Sequence, residues 1–179
     1  MEKIKIYIIF ILALFFNISI IFSATITAIG SGDWTTAGIW DTGTIPTSAD
    51  DVVIPNTRVV TITASRTLGD LTIDNGGQLQ LASNVTATFY KVGNVNFVVN
   101  GTVTTTSGVG ILKSSTNLIM SGTTGNITAS VKLYVPNYIY FDNNCDITIR
   151  NYIVAWGGAR VYIQNGSTLR LNFRPAFGG

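Results

Sequence analysis

The sequence predicts an all-β chain wound as a single-stranded β-solenoid of about six coils, a parallel β-helix that is right-handed by base rate. A cap opens the solenoid and a helical leader precedes it. Three observations lead there. From Val52 onward the residues are Val, Ile, Thr, Leu, Phe and Tyr in short alternating runs, the pattern of half-buried strands, and no helical period appears after the leader. Polar two-residue turns of the Asn-Gly kind interrupt these runs, as in "LTIDNGGQLQL", "NFVVNGTVT" and "RVYIQNGSTLRL". Finally, the apolar residue three before the second turn position recurs as Ile54, Ile73, Val98, Ile119, Phe141 and Ile163, a spacing near 22 residues. A sandwich of hairpins would show turns every 8–12 residues or so with no longer period, whereas a period of this length is that of a stacked coil.

The elements follow in chain order. Residues 1–23 carry Lys3 and Lys5, an apolar run from Ile6 to Phe16, and small residues at Ser23 and Ala24. That is the layout of a cleaved secretory signal peptide; Asn17 and Ser19 interrupt what would otherwise approach a membrane span. Residues 24–51 are expected as the cap. The first coil of a solenoid exposes an apolar end and unpaired backbone, so terminal units are atypical. Trp34 and Trp40 suit that cover, Pro46 and the neighbouring Gly, Ser and Thr residues supply turns, and Asp50 and Asp51 stand ready to accept loop N–H groups.

Residues 52–179 are the solenoid. Each strand is expected to pair with its equivalents about 4.8 Å above and below, so six coils make a rod on the order of 25 Å long. Ile73, Leu79 and Leu81 face the axis and Thr72 and Gln80 face water. Corners need the positive φ that Asn and Gly tolerate and β-branched residues resist. Leu169, Leu171 and Phe173 read as the last strand. The few residues after it, with Phe177, can cover only part of the open end, so the solenoid is expected to be truncated there, its end covered by further coils, or else by a partner or a copy of itself.

Composition narrows the function. Without the leader the chain keeps nine basic and eight acidic residues. No basic stripe points to nucleic acid or to a membrane surface. There is no histidine and one cysteine, which removes imidazole triads, most zinc sites and an intramolecular disulfide, so no cofactor and no metal are expected. Cys145 lies on the face of Ile147 and Ile149 and reads as a small core residue. Glycoside hydrolysis needs two carboxylates across a groove. Asp50 and Asp51 are adjacent and point to opposite faces, while Asp70 with Asp74 and Asp142 with Asp146 read as turn formers. Arg150 and Arg170 occupy comparable places in successive coils and read as solvated edge charges. Tyr138 and Tyr140 share a face opposite Ile139 and Phe141, so two tyrosines are displayed outward as a candidate surface-binding pair, alongside rung-to-rung stacking as the simpler role. Thr-x-Thr pairs at 61–63, 86–88 and 104–106 raise ice or crystal binding, but their spacing is uneven.

Gly32, Trp34, Trp40, Gly43, Pro46, Asp50, Asp51, Val52 and Ile54 form the string G-x-W…W-x-x-G-x-x-P-x-x-x-D-D-V-x-I. It resembles the start of secreted β-helix proteins common in Bacteroidetes, and "LGDLTIDNGGQLQL" resembles the next piece of that pattern. The resemblance covers about Gly30 to Val103, and more loosely the chain is similar to the G8-type module that opens some extracellular β-helices. Such proteins are exported and often adhesive or surface-associated, and carry a C-terminal sorting domain. The leader, the turn-marked period, the cap and the lack of catalytic side chains point to a non-catalytic scaffold or adhesive module of a larger protein, secreted or at the cell surface, with a polysaccharide or a cell-surface protein as candidate partner. The alternative is the N-terminal segment of a polysaccharide lyase or glycosidase whose catalytic coils lie beyond residue 179.

Overall fold

A computed structural model describes residues 23–128, 130–135, 138–151, 153–155 and 159–171. The expected leader before Ser23, Tyr152, Trp156 and the tail that holds Phe173 and Phe177 lie outside the described residues. Three parallel sheets build the described part of the molecule. The first has seven strands: Thr25–Thr27, Asp51–Ile54, Leu71–Ile73, Asn94–Val99, Asn117–Ser121, Tyr138–Phe141 and Arg160–Ile163. The second also has seven: Gly32–Asp33, Val59–Ile62, Gln78–Leu81, Thr102–Thr105, Gly125–Ile127, Asp146–Ile149 and Thr168–Leu171. The third has five: Arg66–Leu68, Thr86–Phe89, Gly110–Ser114, Val131–Val135 and Ile153–Ala155. Each full coil gives one strand to each sheet and pairs only with the coils before and after it. The chain is thus an all-β solenoid of about six turns, and a single 3-10 turn, Ala37–Ile39, is the helical element among the described residues.

The strand pairs that look like hairpins in the sequence are consecutive sides of one coil, with the polar turn at the corner between the first and second sheets. The third strand of each coil follows a second corner. Alternation then sends every other side chain to the axis. In the first sheet one unbroken inward column runs Ile26, Val52, Leu71, Phe97, Met120, Phe141 and Ile163. In the second, Val60, Leu79, Val103, Ile127, Ile149 and Leu171 form its counterpart. Apart from the last member of each, these residues are buried. Fully burying one such side chain contributes about 1.5–3 kcal/mol, and each coil buries several.

The spacing of the first column varies from 19 to 26 residues between successive rungs, and this corrects one expectation. Val98 and Ile119 do not line the axis with Ile73, Phe141 and Ile163. Val98 pairs with Thr72 and Ser121 on the outer face, and Phe97 and Met120 take the inward places. The cause is the corner. Ile73 stands level with Val99, and Gln78 with Thr102, so the "DNGG" corner is two residues longer than the corner at Asn100 and Gly101. Counting from the turn therefore misplaces the neighbouring strand by one residue, which swaps its faces. The ladder leaves no space at this corner either. A Cβ on Gly101 would sit 2.2 Å from the Gly77 carbonyl oxygen of the preceding coil, closer than any side chain tolerates.

Corners show the expected left-handed residues at Asn84, Asn143, Asn144, Asn165, Gly76 and Gly166. Thr57 is the departure: a β-branched residue with φ of 67°, where its side chain crowds the backbone.

Residues 24–51 include the first rung itself, since Thr25–Thr27 and Gly32–Asp33 pair with the next coil. The third sheet has no strand at this rung. In its place Trp34 and Trp40, each 1% exposed, meet edge to face with ring centroids 5.0 Å apart.

Candidate functional site: an aromatic ladder and a tryptophan-filled end

The N-terminal end is built from bonds that tie the two indoles to the loop around them. Trp40 Nε1 donates to the Trp34 carbonyl at 2.9 Å, and Trp34 Nε1 donates to the carbonyl of the buried Pro46 at 3.4 Å. A buried indole needs such a partner, because an orphaned N–H costs about 1–3 kcal/mol. Asp50 accepts from the Thr47 backbone N–H at 2.8 Å and from its hydroxyl at 2.7 Å, which fixes the turn that carries Pro46. Arg66 completes the end. It opens the third sheet at the inward position level with Ala87, and its guanidinium lies 5.6 Å from the centre of the Trp34 ring. Desolvation lowers the pKa of Arg66, opposed by Asp33. Burial opposes ionisation of Asp33 too, but hydrogen bonds from Thr35 and Thr63 outweigh it and hold the carboxyl below its usual range. Sequence reasoning missed this inward arginine; an arginine beginning a strand gives no sign of its face.

Most of the described carboxylates are engaged. Asp51 opens one strand and Asp70 precedes the strand paired with it in the next coil, and Lys91 Nζ spans them at 3.2 and 2.8 Å. Asp70 also accepts from the backbone and side chain of Asn96. Burial works against its charge, yet Lys91 and Asn96 hold its pKa below the usual value, and the Asp70 hydrogen bond chiefly raises that of Lys91. The separation of Asp51 from Asp70 equals one coil, so the pairing was legible from the period. Neither of the pairs Asp70 with Asp74 or Asp142 with Asp146 forms a facing couple. Asp142 takes hydrogen bonds from Asn143, Gln164 and Asn165, and Asp146 pairs with Arg170. Arg150 bonds Asn126 at 3.2 Å; it lies diagonal to Arg170 and does not stack on it, because Arg170 is level with Thr148. Among the described residues no group of three or more Asp, Glu, Cys or His gathers to hold a metal ion. Cys145 is buried with Ile147 and Ile149, and burial pushes its thiol up to about 11.

The Thr-x-Thr pairs fall on different faces. Thr61 and Thr104 stand on the second sheet and Thr86 and Thr88 on the third, so they make no single flat array.

The outer face of the first sheet holds three tyrosines, Tyr138, Tyr140 and Tyr162. Tyr140 stacks on Tyr162 one rung away, centroids 5.0 Å apart and planes within 10°. Tyr138 tilts across both, at 6.3 Å from Tyr140 and 6.1 Å from Tyr162, while Ile139 and Phe141 beneath them are fully buried. Arg160 is level with Tyr138, and the neighbouring Tyr162, then Tyr138, raise its pKa. The expected pair is thus part of a four-residue cluster. Tyr162 and Arg160 follow Tyr140 and Tyr138 by one 22-residue coil, a signal present in the sequence. On this same face Asn117 donates to Asn94 at 3.2 Å, so the ladder changes from amide to aromatic toward the C-terminal rungs.

Neither the curated proteins nor the solved structures gave a match. Among protein families, the G8 domain matches residues 39–156, about two thirds of the chain. The chain belongs to the G8 domain family.

Proposed function

We propose that this G8 domain is a non-catalytic scaffold or adhesive module of an exported protein, secreted or held at the cell surface, whose contacts are a polysaccharide or a cell-surface protein. The observation that carries the reading is the engagement of six of its eight described aspartates. Asp33, Asp50, Asp51, Asp70, Asp142 and Asp146 each hold a turn, a strand or an ion pair. A glycoside-cleaving site needs two carboxyl groups free to exchange protons across a groove. The leader at residues 1–23 supports export, and the bonded Trp34, Trp40, Pro46 and Asp50 support a closed N-terminal end.

A second reading rests on the other end. The inward residues of the last described rung, Val161, Ile163 and Leu171, are 42%, 54% and 44% exposed, where their counterparts one rung earlier are buried. Further coils or a partner cover that end in this reading, and a polysaccharide-active enzyme would carry its catalytic coils there. Assaying the purified protein on a panel of polysaccharides separates the two. No release of reducing ends or unsaturated products is expected; turnover that a single Asp→Ala change abolishes would overturn the scaffold reading.

A further inference from the structure

Charge is divided along the rod. Before residue 100 the described chain carries six aspartates against Arg58, Arg66 and Lys91; after it, Lys113, Lys132, Arg150, Arg160 and Arg170 face two aspartates. Both of those aspartates are already engaged, Asp142 by its turn and Asp146 by Arg170. The basic half also carries the outward tyrosines Tyr138, Tyr140 and Tyr162 of the first sheet. Outward side chains on a strand stand roughly perpendicular to the sheet, so the stacked rings of Tyr140 and Tyr162 offer their edges and hydroxyls outward. Tyr138 is 40% exposed and tilted about 50° to them, which leaves part of its ring open to a flat apolar surface. Arg160 beside it is exposed and no described carboxylate pairs with it.

We propose that the outer face of the first sheet at Tyr138, Tyr140, Arg160 and Tyr162 binds an acidic polysaccharide, one that bears carboxylate or sulfate on its sugar rings. The inference deepens the adhesive reading above and rests on it. A pyranose ring presents an apolar face to Tyr138. Its carboxylate or sulfate meets the planar guanidinium of Arg160, whose fork of N–H donors matches an oxyanion. The phenol hydroxyls and the Asn94 and Asn117 amides supply donors and acceptors for ring hydroxyls. The remaining cations raise the concentration of a polyanion around this half, and the acidic N-terminal half turns it away.

The test is calorimetric titration of the purified protein with polygalacturonate, dextran sulfate and unsulfated dextran. Binding is expected to the acidic polymers and not to dextran, and to weaken as salt rises. Polygalacturonate alone binding assigns the carboxylate source, and dextran sulfate alone the sulfate source; either supports the face. Arg160→Gln and Tyr138→Ala are each expected to weaken binding about tenfold, the loss of one charge-assisted contact or one aromatic anchor. Lys113→Gln removes the same charge from the third sheet and is expected to change binding less than about twofold, since its side chain stands outside the site and acts only through the screened field. Thermal midpoints confirm that each variant folds. Equal binding of dextran, equal losses in Lys113→Gln and Arg160→Gln, or no binding at all would overturn the proposal. Product release from polygalacturonate would instead overturn the scaffold reading and leave the binding face standing.

Discussion

Replacing Phe97 by alanine and, separately, Val98 by alanine tests the register of the inward columns. Phe97 is fully buried between Leu71 and Met120, with the Phe89 ring 4.8 Å away in the third sheet. Truncating such a side chain removes its transfer energy and leaves a cavity, about 3–5 kcal/mol together. The surrounding columns are held on both sides by hydrogen-bonded rungs, so collapse into the cavity is limited and the upper part of that range applies. Val98, one residue on, stands outward and half-buried between Thr72 and Ser121. Its loss costs β-propensity and a little cover, under about 1 kcal/mol. With a urea dependence of about 2 kcal/mol per molar, the midpoint of Phe97→Ala falls by about 2 M and that of Val98→Ala by less than about 0.5 M. Urea titration followed by far-UV circular dichroism reads both. Losses in the opposite order would refute the register, and with it the account of the corner at Asn100.

Thr57 carries the left-handed strain of one corner, so Thr57→Asn is expected to stabilise the protein by about 1 kcal/mol and raise its thermal midpoint by about 3 °C; a lower midpoint would show that the hydroxyl matters more than the backbone. Asp70 is held below its unfolded pKa, so its stabilisation is fully present above about pH 4 and is lost as pH falls through the folded value. Asp70→Asn is therefore expected to be less stable than the parent at neutral pH, by about 1.5–3 kcal/mol for its charge-assisted bonds to Lys91 and Asn96, and to converge with it in acid; parallel stability curves would contradict this. Lys91 is raised, so its share is present below about pH 10.4 and is lost as pH climbs through the folded value, which a titration to high pH would show. The buried Cys145 thiol is expected to be silent toward a thiol reagent in the native protein and to react once the chain is unfolded.

Much of the fold is legible because the solenoid repeats its local chemistry. Alternation marks Leu71–Ile73, Gln78–Leu81 and Tyr138–Phe141 as strands, and the Asn-Gly turns mark the first corner of most coils. The third strand of each coil is harder to read. Thr86–Phe89 and Gly110–Ser114 follow a second corner with no constant turn signature, and Arg66–Leu68 begins with a charged residue that faces inward against Trp34. Register was legible only where corner lengths agree. Ile73, Phe141 and Ile163 each precede a four-residue corner of the same build and face inward as counted, whereas the shorter corner at Asn100 and Gly101 puts Val98 outward. The candidate site was half visible. Alternation displays Tyr138 and Tyr140, and adding one coil to each finds Arg160 and Tyr162. The charge division along the rod becomes a property of two ends only once the coils are stacked in order.

The central claim, that successive coils stack as parallel rungs in this register, is tested most directly by cross-linking. Thr72 and Val98 are paired residues on neighbouring rungs. Across parallel strands their Cα atoms lie about 4.8 Å apart, inside the span a disulfide accepts. A variant carrying Thr72→Cys and Val98→Cys is expected to close a disulfide on mild oxidation with its thermal midpoint kept or raised. One carrying Thr72→Cys and Ile119→Cys, two rungs apart and so about 9.6 Å or more, is expected to stay reduced. Closure of the second pair, or failure of the first to close in a folded protein, would contradict the stack.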